Sequence, residues 1–247
     1  MSVYEYLRGV IEEKRAGYLP LLDPDRLDGK RLVQMAVHLE GAGVDALLIG
    51  SSLLLSATMD TIIRDIKREI NIPVIIFPGS LNQVSQYADA ILFLSLISGR
   101  NPERLIGDQV KAAPAIKEYG LEPIPTGYML IESGNPTSAQ FMSNTMPIPR
   151  DKPDIAMAHA LAAEYLGMKM VYLEAGSGAK DTVPDETIRS VREYVSIPVI
   201  VGGGIRTPEV AAQKVKAGAS FIVTGNVLEK KGGLELVKEF CEAIHSK

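Results

Sequence analysis

Val201-Gly202-Gly203-Gly204-Ile205-Arg206-Thr207-Pro208-Glu209 reads as the end of a short apolar strand running into three glycines and then a helix start. Thr207 is placed as the N-cap and Pro208 in the first turn. Backbone without side chains lets N–H groups turn toward an anion. Thr224-Gly225-Asn226 repeats the arrangement after the apolar run Phe221 to Thr224. In a parallel β/α barrel, the loops after the seventh and eighth strands and a nearby helix N-terminus form a phosphate site. Glycines that merely make tight turns are the competing reading. Two such loops in this order favour phosphate.

Working back from these loops, short apolar runs alternate with stretches of helical period, the pattern of parallel strands feeding crossover helices. Eight strands are predicted at 18–22, 45–49, 74–77, 90–94, 122–130, 170–174, 199–201 and 221–224. Helices are predicted near 29–41, 58–69, 101–119, 153–166, 184–194, 207–217 and 233–245. Gly43, Gly120 and Gly218 close three of the crossovers as left-handed caps. The third crossover, 78–89, is barely long enough for a βαβ connection, so its helix is stunted or missing. Ile131 to Lys152 is long, follows the fifth strand on the catalytic face, and is a lid candidate. An amphipathic stretch from Val3 to Lys14 is placed across the bottom of the barrel or loosely beside it. The fold class is α/β, a single (β/α)8 TIM barrel spanning 1–247 with a shortened or missing third crossover helix.

Composition agrees with that class. A chain of 247 residues matches one barrel of about 250. Hydrophobic residues at 46% and charged residues at 23% supply one large core and exclude disorder. A formal charge of −4 and a pI near 5.5 argue against nucleic acid as a partner. Cys241 is the only cysteine, so no internal disulfide forms, and its terminal helix makes it a packed thiol. The N-terminus carries charges where a signal peptide needs an apolar region, and no apolar run reaches the roughly 18 residues of a membrane span. A cytoplasmic protein is expected.

In such a barrel the chemistry lies at the strand ends. Tyr172-Leu173-Glu174-Ala175-Gly176-Ser177-Gly178 places an acid at the barrel mouth just before a backbone-exposing turn. Glu174 is the candidate base, a structural cap of that turn being the alternative. The first strand ends in Asp23-Pro24-Asp25-Arg26, and either carboxylate could hold a hard cation such as Mg²⁺. Ser51 and Ser52 follow the second strand and either ligate that metal or cap a turn. His38, His159 and His245 sit at no strand end and read as surface or packing residues. Phe141, Met142 and Met146 are apolar residues in the polar 131–152 segment, suited to a lid, a subunit contact or a loop tucked onto the barrel.

Taken together, YLEAGSG at 172–178, GGGIRTPE at 202–209, TGN at 224–226, LLDPDR at 21–26 and GSS at 50–52 resemble the geranylgeranylglyceryl phosphate synthases of archaea and their bacterial heptaprenylglyceryl phosphate synthase relatives. The resemblance spans essentially the whole chain. It implies a Mg²⁺-dependent prenyltransferase of membrane ether-lipid synthesis, joining a prenyl diphosphate, by default geranylgeranyl, to the sn-3 hydroxyl of sn-glycerol 1-phosphate with release of diphosphate. By position it puts the metal on Asp23 and the Ser52 hydroxyl, and glycerol phosphate on Tyr172, Leu173, Glu174, Ala175, Gly176, Ser177, Gly178, Gly203, Gly204, Gly225 and Asn226. A homo-oligomer is expected, and transient contact with a membrane surface is left open. Where many members read DPDK this chain has Arg26, which keeps the charge and changes its geometry. The runner-up readings are a phosphate-sugar isomerase or indole-forming barrel and an FMN-binding barrel. A catalytically silent phosphate-ligand binder is the reading from outside enzymes.

Overall fold

The apolar runs become staves of one parallel sheet in a computed structural model that describes residues 1–26, 28–55, 59–228, 233 and 235–246. Its strands are β1 (Gly17–Tyr18), β2 (Leu21–Leu22), β3 (Leu47–Ile49), β4 (Val74–Ile76), β5 (Ala90–Leu96), β6 (Glu122–Leu130), β7 (Met170–Glu174), β8 (Val199–Gly202) and β9 (Phe221–Val223). The sheet order runs β1-β9-β8-β7-β6-β5-β4-β3-β2.

β1 and β2 are two halves of one stave, and that stave closes the barrel. On one side Gly17, Leu19 and Leu21 donate to the carbonyls of Ser220, Ile222 and Thr224 at 2.9, 2.9 and 2.7 Å. On the other, Asp45, Leu48 and Gly50 donate to Tyr18, Pro20 and Leu22 at 3.1, 2.9 and 3.2 Å. Pro20 has no N–H to return toward β3, which splits the expected first strand in two.

The helices are α1 (Val3–Lys14), α2 (Gly29–Ala42), α3 (Met59–Glu69), α4 (Asp108–Glu118), α5 (Ser138–Ser143), α6 (Pro153–Tyr165), α7 (Asp185–Tyr194), α8 (Pro208–Ala217) and α9 (Val237–His245). Thr58 and Leu234, inside two of the helices expected from sequence, lie outside the described residues. The third crossover carries only a 3₁₀ turn, Leu81–Gln83. The helix expected over 101–119 opens with a π-helical turn, Glu103–Gly107, before α4. The 131–152 segment is ordered by an Ile131–Ile148 bridge and by α5, whose N-cap is Thr137.

α1 does cover the bottom. Leu7 and Val10 pack with Ile75, Leu92, Ile124 and Phe221 of the inner layer, each buried apolar side chain contributing about 1.5–3 kcal/mol. The Glu122 carboxylate accepts from Val3 N and Tyr4 N at the start of α1. Buried Asp45 holds both ends of the chain, accepting from Lys14 Nζ (2.7 Å), Tyr18 N (2.7 Å) and His245 Nε2 (2.8 Å). Burial alone would push its carboxyl up, but these bonds outweigh it and hold it below the usual range. Burial pushes the Cys241 thiol up to about 12, as suits a packed residue. No helix among the described residues is long and apolar enough to cross a membrane.

Candidate functional site

The glycine loops after β7, β8 and β9 meet at the barrel mouth. A Cβ on Gly203 (φ +83°) would lie 2.4 Å from Glu174 Oε1 and 2.5 Å from Gly176 N, so only glycine lets the second loop close onto the first. Ser177 Oγ donates to Asn226 Oδ1 at 3.2 Å, tying the first loop to the third. Arg206 donates to the carbonyls of Ala179 and Lys180, stapling the β8 loop to the end of the β7 loop.

Glu174 is buried beneath them, its Oε1 accepting from Gly176 N at 2.5 Å. Burial raises its carboxyl above the ordinary value, with the Gly176 N–H and the neighbouring Tyr172 hydroxyl pulling the other way. Tyr172 is pushed up by burial and by the Glu174 charge; its hydroxyl approaches the Glu174 carboxylate but makes no well-aligned hydrogen bond among the described residues. A buried hydroxyl left open beside a buried carboxylate is a place for a polar ligand.

A cavity of about 460 Å³ begins here, lined by Tyr172, Glu174, Ser177, Gly178, Gly203, Gly204, Gly225 and Asn226. Three residues of the expected set are placed differently. Leu173 points outward into the layer between sheet and helices, since neighbours along a strand face opposite sides. Ala175 and Gly176 sit behind the cavity wall, Gly176 against Thr137 of the 131–152 segment.

At the opposite side of the mouth, Asp23 accepts from Ser51 Oγ (3.2 Å), Arg26 Nε (3.3 Å) and Asp25 N (3.1 Å). The hydroxyl that reaches this carboxylate is therefore Ser51, not Ser52, which lines the cavity beside it. Asp25 is a turn residue that accepts from Leu55 N at 2.6 Å. Buried Gln83, missed in the sequence, clamps Ser51 from both sides, donating to its carbonyl at 2.7 Å and accepting from its N–H at 3.0 Å. No group of three His, Cys, Asp or Glu among the described residues could hold a metal. One carboxylate with adjacent hydroxyls does fit Mg²⁺, which uses one or two carboxylates and completes its shell with water and substrate phosphates.

Between these two corners the cavity turns apolar. Rings of Phe77, Tyr128 and Tyr172 cluster with centroids 5.1–5.8 Å apart. Beyond them it runs along β5 and α4 past Val84, Ile91, Phe93, Ala112 and Ile116. The 3₁₀ turn covers less of the sheet than a full crossover helix would, and Phe93 remains half-buried in the gap. Gln109 interrupts the apolar wall. Its Nε2 donates to the carbonyls of Leu94 and Arg104, while its buried Oε1 has no partner among the described residues. Ala139, Met142 and Ser143 of α5 also line the cavity, whereas Phe141 is 82% exposed and faces away.

A closed parallel barrel whose last three strands end in converging glycine loops, with an apolar groove leading from them, has the architecture in which barrels of this class frequently bind phosphate, with room for a second, greasy ligand. Residues 8–244 match the PcrB family, and the chain belongs to it. It is 48% identical over 239 residues to the geranylgeranylglyceryl phosphate synthase of Chitinophaga pinensis, covering 96% of this chain and 94% of that protein. It is 45% identical over 245 residues to the enzyme of that name from Thermococcus kodakarensis, covering 99% and 96%. Its fold is similar, at TM-score 0.94 and 37% identity over the full length of both chains, to the crystal structure of (S)-3-O-geranylgeranylglyceryl phosphate synthase from Thermoplasma acidophilum in complex with sn-glycerol-1-phosphate.

Proposed function

We propose that the chain is a prenyltransferase that joins the allylic carbon of a prenyl diphosphate to the sn-3 hydroxyl of sn-glycerol 1-phosphate, releasing diphosphate, in ether-lipid synthesis. The observation that carries this reading is a single cavity in which the anion cradle and buried Glu174 continue directly into an apolar groove. The relatives' shared name supports it.

The acceptor phosphate sits on the backbone N–H groups and Asn226 of the glycine loops. That anchor fixes which hydroxyl faces the prenyl carbon, an orientation effect able to supply several kcal/mol of the barrier reduction, up to about 7–11 kcal/mol in ideal cases. Glu174 takes the hydroxyl proton as the new C–O bond forms, and its raised proton affinity makes it a stronger base than a surface carboxylate. The allylic C–O bond breaks and its electron pair leaves with diphosphate. Asp23 and the hydroxyls of Ser51 and Ser52 would hold Mg²⁺, which when bound supplies neutralising charge to that leaving group. The groove takes the prenyl tail, with about 0.8 kcal/mol per buried CH₂, and a C20 donor is the family's usual one. A phosphate-sugar isomerase, with a small polar substrate, would have no use for such a groove.

Turnover of radiolabelled glycerol 1-phosphate with a panel of prenyl diphosphates tests the reading. A labelled ether lipid is the expected product. No product with any chain length removes the proposal.

A further inference from the structure

We infer that Arg104 binds the diphosphate of the prenyl donor, a step that rests on the prenyl-transfer reading above. Diphosphate carries several negative charges, and a metal corner with one carboxylate neutralises only part of them. Among the described residues that line the cavity the cations are Arg104 and Arg206. Arg206 is committed to the carbonyls of Ala179 and Lys180 at the acceptor end. Arg104 stands at the other end, on the π-helical turn Glu103–Gly107, a geometry frequent at functional sites.

Its guanidinium is held beside the leaving-group corner. Nη1 donates to Gly79 O at 3.1 Å and to Asp108 Oδ2 at 2.8 Å. Gly79 presses on the serine corner so closely that a Cβ there would fall 2.1 Å from Ser51 O and 3.0 Å from Ser52 Cα. Arg104 is thus one loop away from the hydroxyls that border Asp23. Both of its side-chain contacts use Nη1, and a guanidinium carries five N–H donors in a planar fork that matches phosphate oxygens. Arg104 and Asp108 are each partly open to the cavity, so the ion pair between them holds the guanidinium in place and exchanges one partner when diphosphate arrives. No proton moves at Arg104. Its bonds to the non-bridging oxygens strengthen as negative charge collects there during C–O cleavage.

The test is calorimetric titration of inorganic pyrophosphate, with and without Mg²⁺, into the wild type, Arg104→Gln, Arg104→Lys and Asp108→Asn, each checked by thermal melting. Steady-state constants are measured alongside. Arg104→Gln is expected to weaken pyrophosphate about 10–100-fold, the worth of a charge-assisted hydrogen bond. It raises donor KM and leaves acceptor KM unchanged. Arg104→Lys falls between the two, keeping charge without the fork. Asp108→Asn removes the competing carboxylate and binds pyrophosphate at least as tightly as the wild type. If Arg104 merely braces α4 through its ion pair, Asp108→Asn loses pyrophosphate affinity as Arg104→Gln does, and the inference is overturned. It is also overturned if the wild type binds no pyrophosphate or if Arg104→Gln binds it normally. A wild type that binds pyrophosphate through Arg104 yet makes no ether lipid would sink the prenyl-transfer reading and leave the anion site standing.

Discussion

Replacing Glu174 by glutamine removes one proton acceptor from the site while leaving its shape in place. The side-chain oxygen of Gln can still accept from Gly176 N, the 2.5 Å bond that orders the β7 loop, so the phosphate cradle keeps its geometry. Acceptor KM should therefore change by less than about 3-fold, within the few tenths of a kcal/mol of an intact contact. The lost function is general base catalysis, and kcat should drop by about 10²–10⁴, or ~3–5 kcal/mol of barrier. pH gives a second readout. The wild-type kcat should fall as pH drops through the Glu174 value, which burial sets above that of an ordinary carboxylate, because the protonated acid cannot take the hydroxyl proton. The variant should lose that limb of the profile. The assay is single-turnover and steady-state transfer of labelled glycerol phosphate between pH 4 and 9. A variant with wild-type kcat, or with the same acid limb at lower amplitude, would refute the base assignment and return Glu174 to a cap of the Gly176 turn.

Asn226→Ala should chiefly raise acceptor KM, by the roughly 1–3 kcal/mol of an unpaired polar partner, and a normal acceptor KM would place the phosphate elsewhere on the barrel. Asp23→Asn should lower kcat and raise the Mg²⁺ concentration needed for half activity, with acceptor affinity kept; full activity in excess EDTA would remove the metal altogether. Asp45→Asn should cost about 3–5 kcal/mol, since it strips the charge that pairs Lys14 and His245, and calorimetry should show Tm falling by about 10 °C at pH 7. Because the folded Asp45 value is depressed, its contribution is present above the unfolded value of about 3.9 and is lost as pH falls through the lower folded value. The gap in Tm between wild type and variant should narrow at acid pH, and a constant gap would show that charge is not the cause.

Sequence alone made the mouth of the barrel legible where one local rule decides. Gly203 follows a strand and precedes a capped helix, and Glu174 ends a strand before a turn, so both could be placed from neighbours in the chain. Leu173 turns its side chain away from the cavity, which a continuous motif string does not reveal, because a strand shows only alternate residues to one side. The choice between Ser51 and Ser52 depends on how Gln83, from another crossover, grips the backbone, and no local pattern encodes that. The split at Pro20 needs knowledge of which side its missing N–H would face. The stunted third crossover was visible in its length, but the groove beside it is a property of packed neighbours. Arg104 and Gln109 read only as two polar positions on a helix until α4 is set against β5.

The missing third helix also divides the enzyme's labour. The groove's far walls, Val84, Ala112 and Ile116, belong to the crossover and to α4, on the outer side of the sheet. Glu174 and the glycine loops hang from β7, β8 and β9, braced by one another and by Thr137. On the prenyl-transfer reading proposed above, a larger or smaller side chain at the groove's far end should alter how much tail fits without disturbing the staves assigned to the acceptor. That reading makes tail length and stereochemistry separate variables in this barrel, open to independent change because they are written on opposite halves of the ring.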